Sequence, residues 1–154
     1  MRRRKHLGTG GLEAGVTLME LMVVVGIVGI LAAIAYPAYT QFVRQTNRTD
    51  ATKTMQLAAQ SLERCYSKNF TYAGCTVTNG IVVNDGSVIV TPNLFYNITF
   101  AIPDAQDYTL TAVAVQAPQT TDNTCAQFTL SSTGQQAAQD TGANNTTKTC
   151  WGSN

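Results

Sequence analysis

Hydrophobic residues form one long uninterrupted run near the start of the chain. Between residues 21 and 43 no residue is charged, and this length reaches the roughly 20 apolar residues that a helix needs to cross a bilayer. Basic residues precede the run, and basic residues beside a spanning helix normally stay in the cytoplasm. The pattern therefore predicts one membrane-spanning helix, with the rest of the chain in the periplasm or beyond.

After the apolar run, the pattern becomes that of an amphipathic helix. Apolar residues recur at alternating spacings of four and three, which places them on one helical stripe. The stripe consists of Ala51, Met55, Ala58, Leu62 and Cys65. The charged residues that lie mostly off it are Arg44, Arg48, Lys53 and Glu63. We therefore expect one helix from Val16 to about Lys68, with an apolar first half and a half-buried second half whose charged side faces solvent.

Three residues interrupt the apolar half of this predicted helix. They are Gly26, Gly29 and Pro37. A proline inside a helix removes a backbone hydrogen bond and kinks the axis, and glycines weaken the helix. We expect a bent, locally weak segment, although membrane helices also tolerate glycine and proline without any special purpose.

After Cys75 the pattern changes to that of β-strands. The predicted elements are a hairpin over 81–90 that turns at 84–87, strands at 94–102 and 108–115 joined by a connector at 103–107, and a strand over 125–138 with a turn at 132–134. β-Branched residues on both sides of an Asn-Asp-Gly-Ser turn favour such a hairpin. We expect an α+β fold, in which three or four antiparallel strands pack on the amphipathic half of the helix. The tail from residue 139 is polar, but Trp151 beside Cys150 predicts that its end is held in place.

Charge is distributed unevenly along the 154 residues. The formal net charge is +1, and Arg2, Arg3, Arg4 and Lys5 against Glu13 give +3 before Gly15, which leaves −2 (+1 minus +3) for the remainder. A nucleic-acid-binding protein normally carries a basic excess, because much of its affinity comes from neutralising phosphates. The composition therefore disfavours nucleic-acid binding as the main activity.

Four cysteines agree with an oxidising compartment. Cys65, Cys75, Cys125 and Cys150 allow three pairings, and the sequence alone does not choose among them. We favour the local pairing, Cys65 with Cys75 and Cys125 with Cys150, because it closes the shortest loops. Each bridge would contribute roughly 3 kcal/mol in the loop-entropy description. No spacing has the short form that structural zinc prefers, so we expect neither a metal site nor a cofactor.

Catalytic chemistry has little support in the sequence. The only histidine is His6, which lies in the basic and glycine-rich segment before the apolar run. A histidine is the most frequent general base, and no serine has the surroundings of an activated nucleophile. We therefore expect a protein that is not an enzyme.

Glu20, at the entrance of the apolar run, distinguishes three interpretations of this segment. An ordinary signal peptide would be cut after the small residues Ala33 and Ala35, and a plain anchor would span the membrane, but both leave the acid unexplained. The third interpretation comes from the stretch GVTLMELMVVVGIVGILAAIAYPAY, which resembles the prepilin signature of type IV pilins. The matching residues are Gly15, Thr17, Leu18, Glu20, Gly29, Pro37 and Tyr39.

This resemblance implies how the chain is processed. A prepilin peptidase would cut after Gly15 and methylate the new amino group of Val16, a position where the family usually has phenylalanine or methionine. The chain would then comprise a leader at 1–15, a membrane and filament-core helix at 16–39, and a globular domain at 40–154 outside the cytoplasm. Expected partners are the prepilin peptidase, membrane lipid, an inner-membrane assembly platform, and major and minor pilin subunits.

A resemblance to PilE-like minor pilins covers nearly the whole mature chain. After the prepilin signature, the segments that carry it are AQSLERCYSKNFTY, NLFYNITFAI, DYTLTAVA, TCAQFTLSSTG and the closing CW. In that family two C-terminal cysteines enclose a disulfide-bounded region, and Cys125 and Cys150 occupy those places. They favour a pilus subunit over a type II secretion pseudopilin, whereas the pair Cys65 and Cys75 is less typical. The implied function is a structural subunit, more often minor than major, that aids pilus assembly, adhesion or twitching motility from the inner membrane and the extracellular filament.

The resemblance also implies a role for Glu20 in filament assembly, together with Gly29 and Pro37. A carboxylate inside a membrane helix costs about 2.5–3.5 kcal/mol and normally has a functional partner. The amino group of Val16 on a neighbouring subunit would be that partner and would set axial register. The simpler alternative is that Glu20 stays at the membrane surface.

DNA uptake is the main alternative function, since some related minor pilins (ComP-like) are DNA receptors with a basic stripe. Here the candidate residues are Arg44, Arg48, Lys53, Lys68 and Lys148. Four of them lie on the predicted helix, where a solvated face is the ordinary explanation.

Overall fold

The computed structural model describes residues 15–77 and 80–152, and the chain divides into two compact units, Met1–Ala38 and Tyr39–Asn154. The elements in chain order are α1 (Leu18–Asn69), β1 (Cys75–Thr76), β2 (Val82–Val83), β3 (Val88–Val90), β4 (Tyr96–Ala101), β5 (Thr109–Ala114), a 3-10 helix (Gln119–Thr121), β6 (Gln127–Ser131), β7 (Gln136–Gln139) and α2 (Thr147–Trp151). Except for Gly15, the predicted leader lies outside the described residues, as does His6.

The predicted long helix is confirmed as α1, with Pro37 inside it. It begins at Leu18 because Thr17 caps it: the backbone N–H of Glu20 donates to the Thr17 hydroxyl at 3.2 Å, which satisfies one of the free donors of the first turn. Continuation through Pro37 is compatible with a proline that removes a single backbone bond. The expected bend stays a prediction.

The amphipathic stripe is also confirmed. Ala51, Met55, Ala58 and Leu62 are fully buried and belong to the same hydrophobic core as the sheet. Burying a side chain of the size of Met55 or Leu62 contributes about 1.5–3 kcal/mol. One residue of the same face is polar, since Asn47 lies four positions before Ala51 and is only 4% exposed.

An antiparallel sheet of five strands, in the order β3-β4-β5-β6-β7, forms the second layer, and β1 pairs with β2 in a separate small sheet. Along β4, Tyr96, Ile98 and Phe100 face the core. The predicted α+β fold, a helix packed on an antiparallel sheet, is therefore confirmed. The main sheet has one strand more than expected, because the segment predicted as one strand over 125–138 forms two paired strands, β6 and β7, on either side of its turn.

The predicted hairpin over 81–90 is wrong, although its turn forms. The N–H of Ser87 donates to the carbonyl of Asn84 at 3.0 Å, and Gly86 has a φ of 77° that favours glycine. However, the N–H of Gly86 donates to the carbonyl of Phe100, and the N–H of Phe100 donates to the carbonyl of Ser87, both at 2.8 Å. The turn therefore delivers β3 to β4, while β2 is left to pair with β1.

The outer face of the sheet carries no charge. Thr99, Thr111 and Thr129 lie opposite one another across β4, β5 and β6, and none of the described strands contains an acidic or basic residue. Cationic side chains of the second unit are therefore confined to α1, α2 and the connecting segments. This limits where a polyanion could bind.

Two disulfides, Cys65–Cys75 and Cys125–Cys150, join elements that are close in sequence. This is the local pairing that the sequence analysis favours. Cys65–Cys75 links the end of α1 to β1, and Cys125–Cys150 links the start of β6 to the short helix α2. The sequence did not predict α2, but it predicted that the tail is held in place. Trp151 donates its indole N–H to the carbonyl of Ala137 at 2.8 Å and contacts the ring of Phe128 edge-on.

Candidate functional site

The N-terminal unit presents an unshielded apolar surface. Every described residue from Gly15 to Ala38 is exposed, and exposure of the large apolar side chains reaches 76% at Met19. One helix in the described part of the chain is long and apolar enough, by length and composition, to cross a membrane. A continuous apolar surface of this kind marks contact with lipid or with other protein chains.

Glu20 occupies the first turn of α1 and is exposed. Among residues 15–77 and 80–152, the only ion pair joins Arg48 to Asp122, so the carboxylate of Glu20 has no cationic partner there. One local feature was not predicted: Thr17-x-x-Glu20 has the form of a capping box, and an acid in the first turn favours the helix. The observed hydrogen bond uses the backbone N–H of Glu20, so its carboxylate favours α1 only as a negative charge in the first turn.

The residues predicted for cleavage and packing are all accessible. Val16 is 73% exposed, and a Cβ atom added to Gly15, Gly26 or Gly29 would meet nothing within 4 Å. The small size of these glycines is therefore not required within a single chain. It becomes important only for a second molecule that approaches the backbone closely.

In the second unit, a buried ion pair joins α1 to the segment after the 3-10 helix. The guanidinium of Arg48 donates two hydrogen bonds of 2.6 Å to the carboxylate of Asp122, and their side chains are 14% and 3% exposed. Such bidentate pairs are the strong ones. The prediction that Arg48 faces solvent was wrong, since its side chain is largely buried against Asp122. The sequence did not indicate this pair because the two residues are 74 positions apart.

Gln119 extends this pair into a polar network. Its side-chain amide donates to the hydroxyl of Tyr96 at 2.8 Å and to the backbone carbonyl of Arg44 at 3.2 Å. Its oxygen accepts from the side-chain amide of Asn47 at 3.2 Å. The network anchors the 3-10 helix to α1 and explains why Asn47 is tolerated on the buried stripe.

Electrostatics keep Asp122 ionised. Burial disfavours its charged form, but the hydrogen bonds and charge of Arg48 outweigh this effect, together with the N–H groups of Cys125 and Thr124. As a result, the pKa of Asp122 lies below its ordinary value. Burial also raises the pKa of Tyr96 to about 12, so the phenol remains a neutral hydrogen-bonding group.

The predicted basic stripe is not continuous in the structure. Arg48 is paired with Asp122, and Arg44 is partly buried beside Thr121. The exposed cations in the described part of the second unit are Lys53, Arg64, Lys68 and Lys148. Arg64, which was not included in the predicted stripe, lies with Lys68 in a shallow pocket of about 340 Å³ beside the Cys65–Cys75 disulfide.

Two family models and a solved structure match the chain. A family model described as "Type IV minor pilin ComP, DNA uptake sequence receptor" matches residues 37–129, which is more than half of the chain. A second, described as the prokaryotic N-terminal methylation motif, matches residues 12–36. A solved type IV pilin from Shewanella oneidensis has 24% sequence identity and a TM-score of 0.45, and the match covers 60% of this chain and 89% of that one. No curated protein matches the sequence.

Proposed function

The chain belongs to the ComP family of type IV minor pilins, and on this basis we propose that it is stored in the inner membrane and then transferred into a pilus filament. A prepilin peptidase would remove residues 1–15, and residues 16–39 would be the anchor. Residues 40–154 would form the globular part, first in the periplasm and then on the filament. The observation that supports this most directly is the complete exposure of the apolar half of α1, most of which lies within the matched methylation motif at residues 12–36.

Storage and assembly can use the same segment because both environments are apolar. Lipid tails and packed neighbouring helices solvate leucine and valine side chains similarly, so transfer between them has little hydrophobic cost. The exposed side chains from Leu21 to Tyr39 would contact lipid first and other pilin subunits afterwards. Gly29 would allow close approach of a neighbouring helix, and Pro37 would allow local adjustment of α1.

Glu20 would guide this transfer. Cleavage after Gly15 creates a positively charged amino group on Val16, and the unpaired carboxylate of Glu20 on an adjacent subunit is its natural partner. In the low dielectric of a filament core this attraction is stronger than in water. The pair would therefore set the axial register of the incoming subunit.

The proposed processing predicts a defined mature chain. Intact-mass measurement of the membrane-extracted protein should give a chain that starts at Val16 and carries one added methyl group. Replacing Gly15 with glutamate should block cleavage without disturbing the described fold, because a Cβ atom at Gly15 has no neighbour. Gly26→Ala is the matched control and should be cut normally. A wild-type chain that starts at Tyr36 would instead establish an ordinary signal peptide.

DNA capture is a second candidate function, favoured by the description of the matching family as a DNA uptake sequence receptor. The exposed pair Arg64 and Lys68 offers two cations in one pocket, with no acidic partner in the described part of the chain. Phosphates neutralised by two such side chains would give a modest, salt-dependent affinity.

A salt series tests this second function. For the mature protein in detergent with duplex DNA, log K should fall with log salt at a slope of about −0.9 per phosphate neutralised, which is roughly −1.8 for two contacts. Replacing both Arg64 and Lys68 with glutamine should remove most of this dependence. The matched variant Lys53→Gln should keep it. DNA binding that is unaffected by the double replacement would exclude this site.

A further inference from the structure

A polar pocket of about 460 Å³ lies in the second unit between α1 and the segment after the 3-10 helix. Its lining combines arginines with neutral hydrogen-bond donors, namely Gln41, Arg44, Gln45, Arg48, Thr121, Asp122, Asn123, Thr124 and Thr149. Arg44, Arg48 and Asp122, which belong to the network around Gln119, form part of its wall, and the proposed pilus function does not use the space that they line. Its composition is that of a site for an oxyanion.

The charge of the pocket is not balanced. Arg48 and Asp122 neutralise each other, whereas Arg44 has no carboxylate within ion-pair distance in the described part of the chain. Arg44 donates one hydrogen bond, from Nη2 to the Thr121 hydroxyl at 2.9 Å. Its Nε is buried and has no partner, the only side-chain nitrogen or oxygen of this kind among the described residues. A buried donor without a partner costs free energy, so an acceptor that draws the guanidinium toward it would be stabilising.

Neutral donors around Arg44 are also free. The side chains of Asn123, Thr124 and Thr149 make no hydrogen bond with another described residue, although their backbone groups do. They line the same pocket as the guanidinium, and hydroxyl and amide groups are donors from which the oxygens of a tetrahedral anion accept. Charge-assisted bonds from arginine to phosphate are among the stronger hydrogen bonds in proteins.

The position of Arg44 in the sequence indicates where such an anion would come from. Arg44 is the first charged residue after Glu20, and the exposed aromatic residues Tyr36, Tyr39 and Phe42 precede it. The 24 residues from Leu21 to Arg44 would span about 36 Å as a helix. This length exceeds the roughly 30 Å hydrocarbon core, so Arg44 would lie within the headgroup layer. Tyrosines are also enriched at that level.

We propose that the pocket binds the phosphate of an anionic phospholipid while the chain is stored in the membrane. The inference relies on the proposed membrane storage of residues 16–39. Arg44 would supply the charge, and the hydroxyl and amide groups of Thr124, Thr149 and Asn123 would orient the phosphate oxygens. The bound headgroup would hold the helix at a fixed depth until the subunit leaves for the filament.

Native mass spectrometry of the full mature chain, released from nanodiscs of phosphatidylcholine and phosphatidylglycerol, tests the proposal. Wild-type protein should retain phosphatidylglycerol in preference to phosphatidylcholine. Arg44→Gln should reduce that preference about tenfold, the effect expected for loss of one charged hydrogen-bonding group. Lys68→Gln removes the same charge elsewhere on α1 and should not change it. Thr149→Val, which keeps all charges, should give a smaller reduction, and equal unfolding midpoints will establish that the variants are folded.

Competition experiments distinguish the source of the phosphate. Millimolar inorganic phosphate should leave lipid retention unchanged, and a short DNA duplex should bind wild type and Arg44→Gln equally. Displacement of lipid by inorganic phosphate, or loss of duplex binding in Arg44→Gln, would overturn the lipid assignment. Equal lipid preference in wild type and Arg44→Gln would overturn the site itself. Failure of the chain to enter nanodiscs would instead contradict the proposed membrane storage.

Discussion

Replacing Glu20 with alanine should leave the protein in the membrane and reduce its incorporation into filaments at least tenfold. Removal of the carboxylate should not hinder insertion, because a charged side chain in a membrane helix is unfavourable. In the filament the same change leaves the amino group of Val16 on the adjacent subunit without a counter-charge, and an unpaired buried charge is strongly destabilising. The measurement is the ratio of subunit in sheared filaments to subunit in membranes, determined by immunoblot.

Control variants distinguish this intermolecular role from the capping role that the structure shows. Thr17→Ala removes the hydroxyl that accepts from the N–H of Glu20 and keeps the carboxylate, so its incorporation should fall far less. Glu63→Gln removes an exposed negative charge of the second unit, keeps an oxygen that can accept from the hydroxyl of Tyr72, and should incorporate normally. Equal losses in Thr17→Ala and Glu20→Ala would mean that helix capping, and not register, explains the effect.

Replacing Arg48 with glutamine should lower the free energy of unfolding of the second unit by about 3–5 kcal/mol, which is the usual cost of breaking a buried ion pair from one side. Asp122 would keep its buried position without its counter-charge, and its side chain is only 3% exposed. Denaturant unfolding followed by circular dichroism measures the change. Lys53→Gln removes an exposed cation from the same helix and should shift stability by less than about 0.5 kcal/mol.

Acid titration gives an independent check on the same pair. Because the pKa of Asp122 is lowered in the folded state, the pair stabilises the fold fully above the ordinary carboxyl pKa of about 3.9. That contribution is lost as pH falls through the lowered folded pKa. Asp122→Asn should be less stable at neutral pH and should lack this part of the acid dependence. An Asn variant as stable as wild type at pH 7 would show that the pair contributes nothing net.

Local sequence patterns were sufficient for the helix and its buried face. The apolar spacing that includes Met55 and Leu62 follows the helical repeat, and both residues are fully buried. The strands at 96–101 and 109–114 were also predicted, because β-branched residues and a turn-rich connector are local signals. The resemblance to type IV minor pilins is also confirmed, since the two family models match residues 12–36 and 37–129, although the matching family is the ComP-like alternative and not the PilE-like one.

Partner choice between strands could not be predicted in the same way. The turn at 84–87 is a genuine local signal, but whether its two flanking strands pair with each other depends on competing strands elsewhere. Here Cys65–Cys75 joins β1 to the end of α1, and β1 pairs with β2. Strand β3 instead pairs with β4. Sequence around the turn contains no information about either competitor.

Interactions between distant residues were missed for a related reason. Asp122 and Gln119 lie in a segment that looks like an ordinary polar loop, and their partners on α1 are more than 70 residues away. One signal was present: Asn47 continues the buried stripe before Ala51, and a polar residue on a buried face requires a partner. That signal predicts that a partner exists without identifying it.

The Cys125–Cys150 disulfide would have a consequence if the protein is displayed outside the cell, as proposed. It encloses the exposed residues from Thr141 to Asn145, which are accessible to extracellular proteases. A cut there would leave both fragments joined covalently, with Trp151 still bound to Ala137 and packed on Phe128. The subunit can thus be nicked without shedding its C-terminal piece, and a damaged copy would keep its shape and its place among its neighbours.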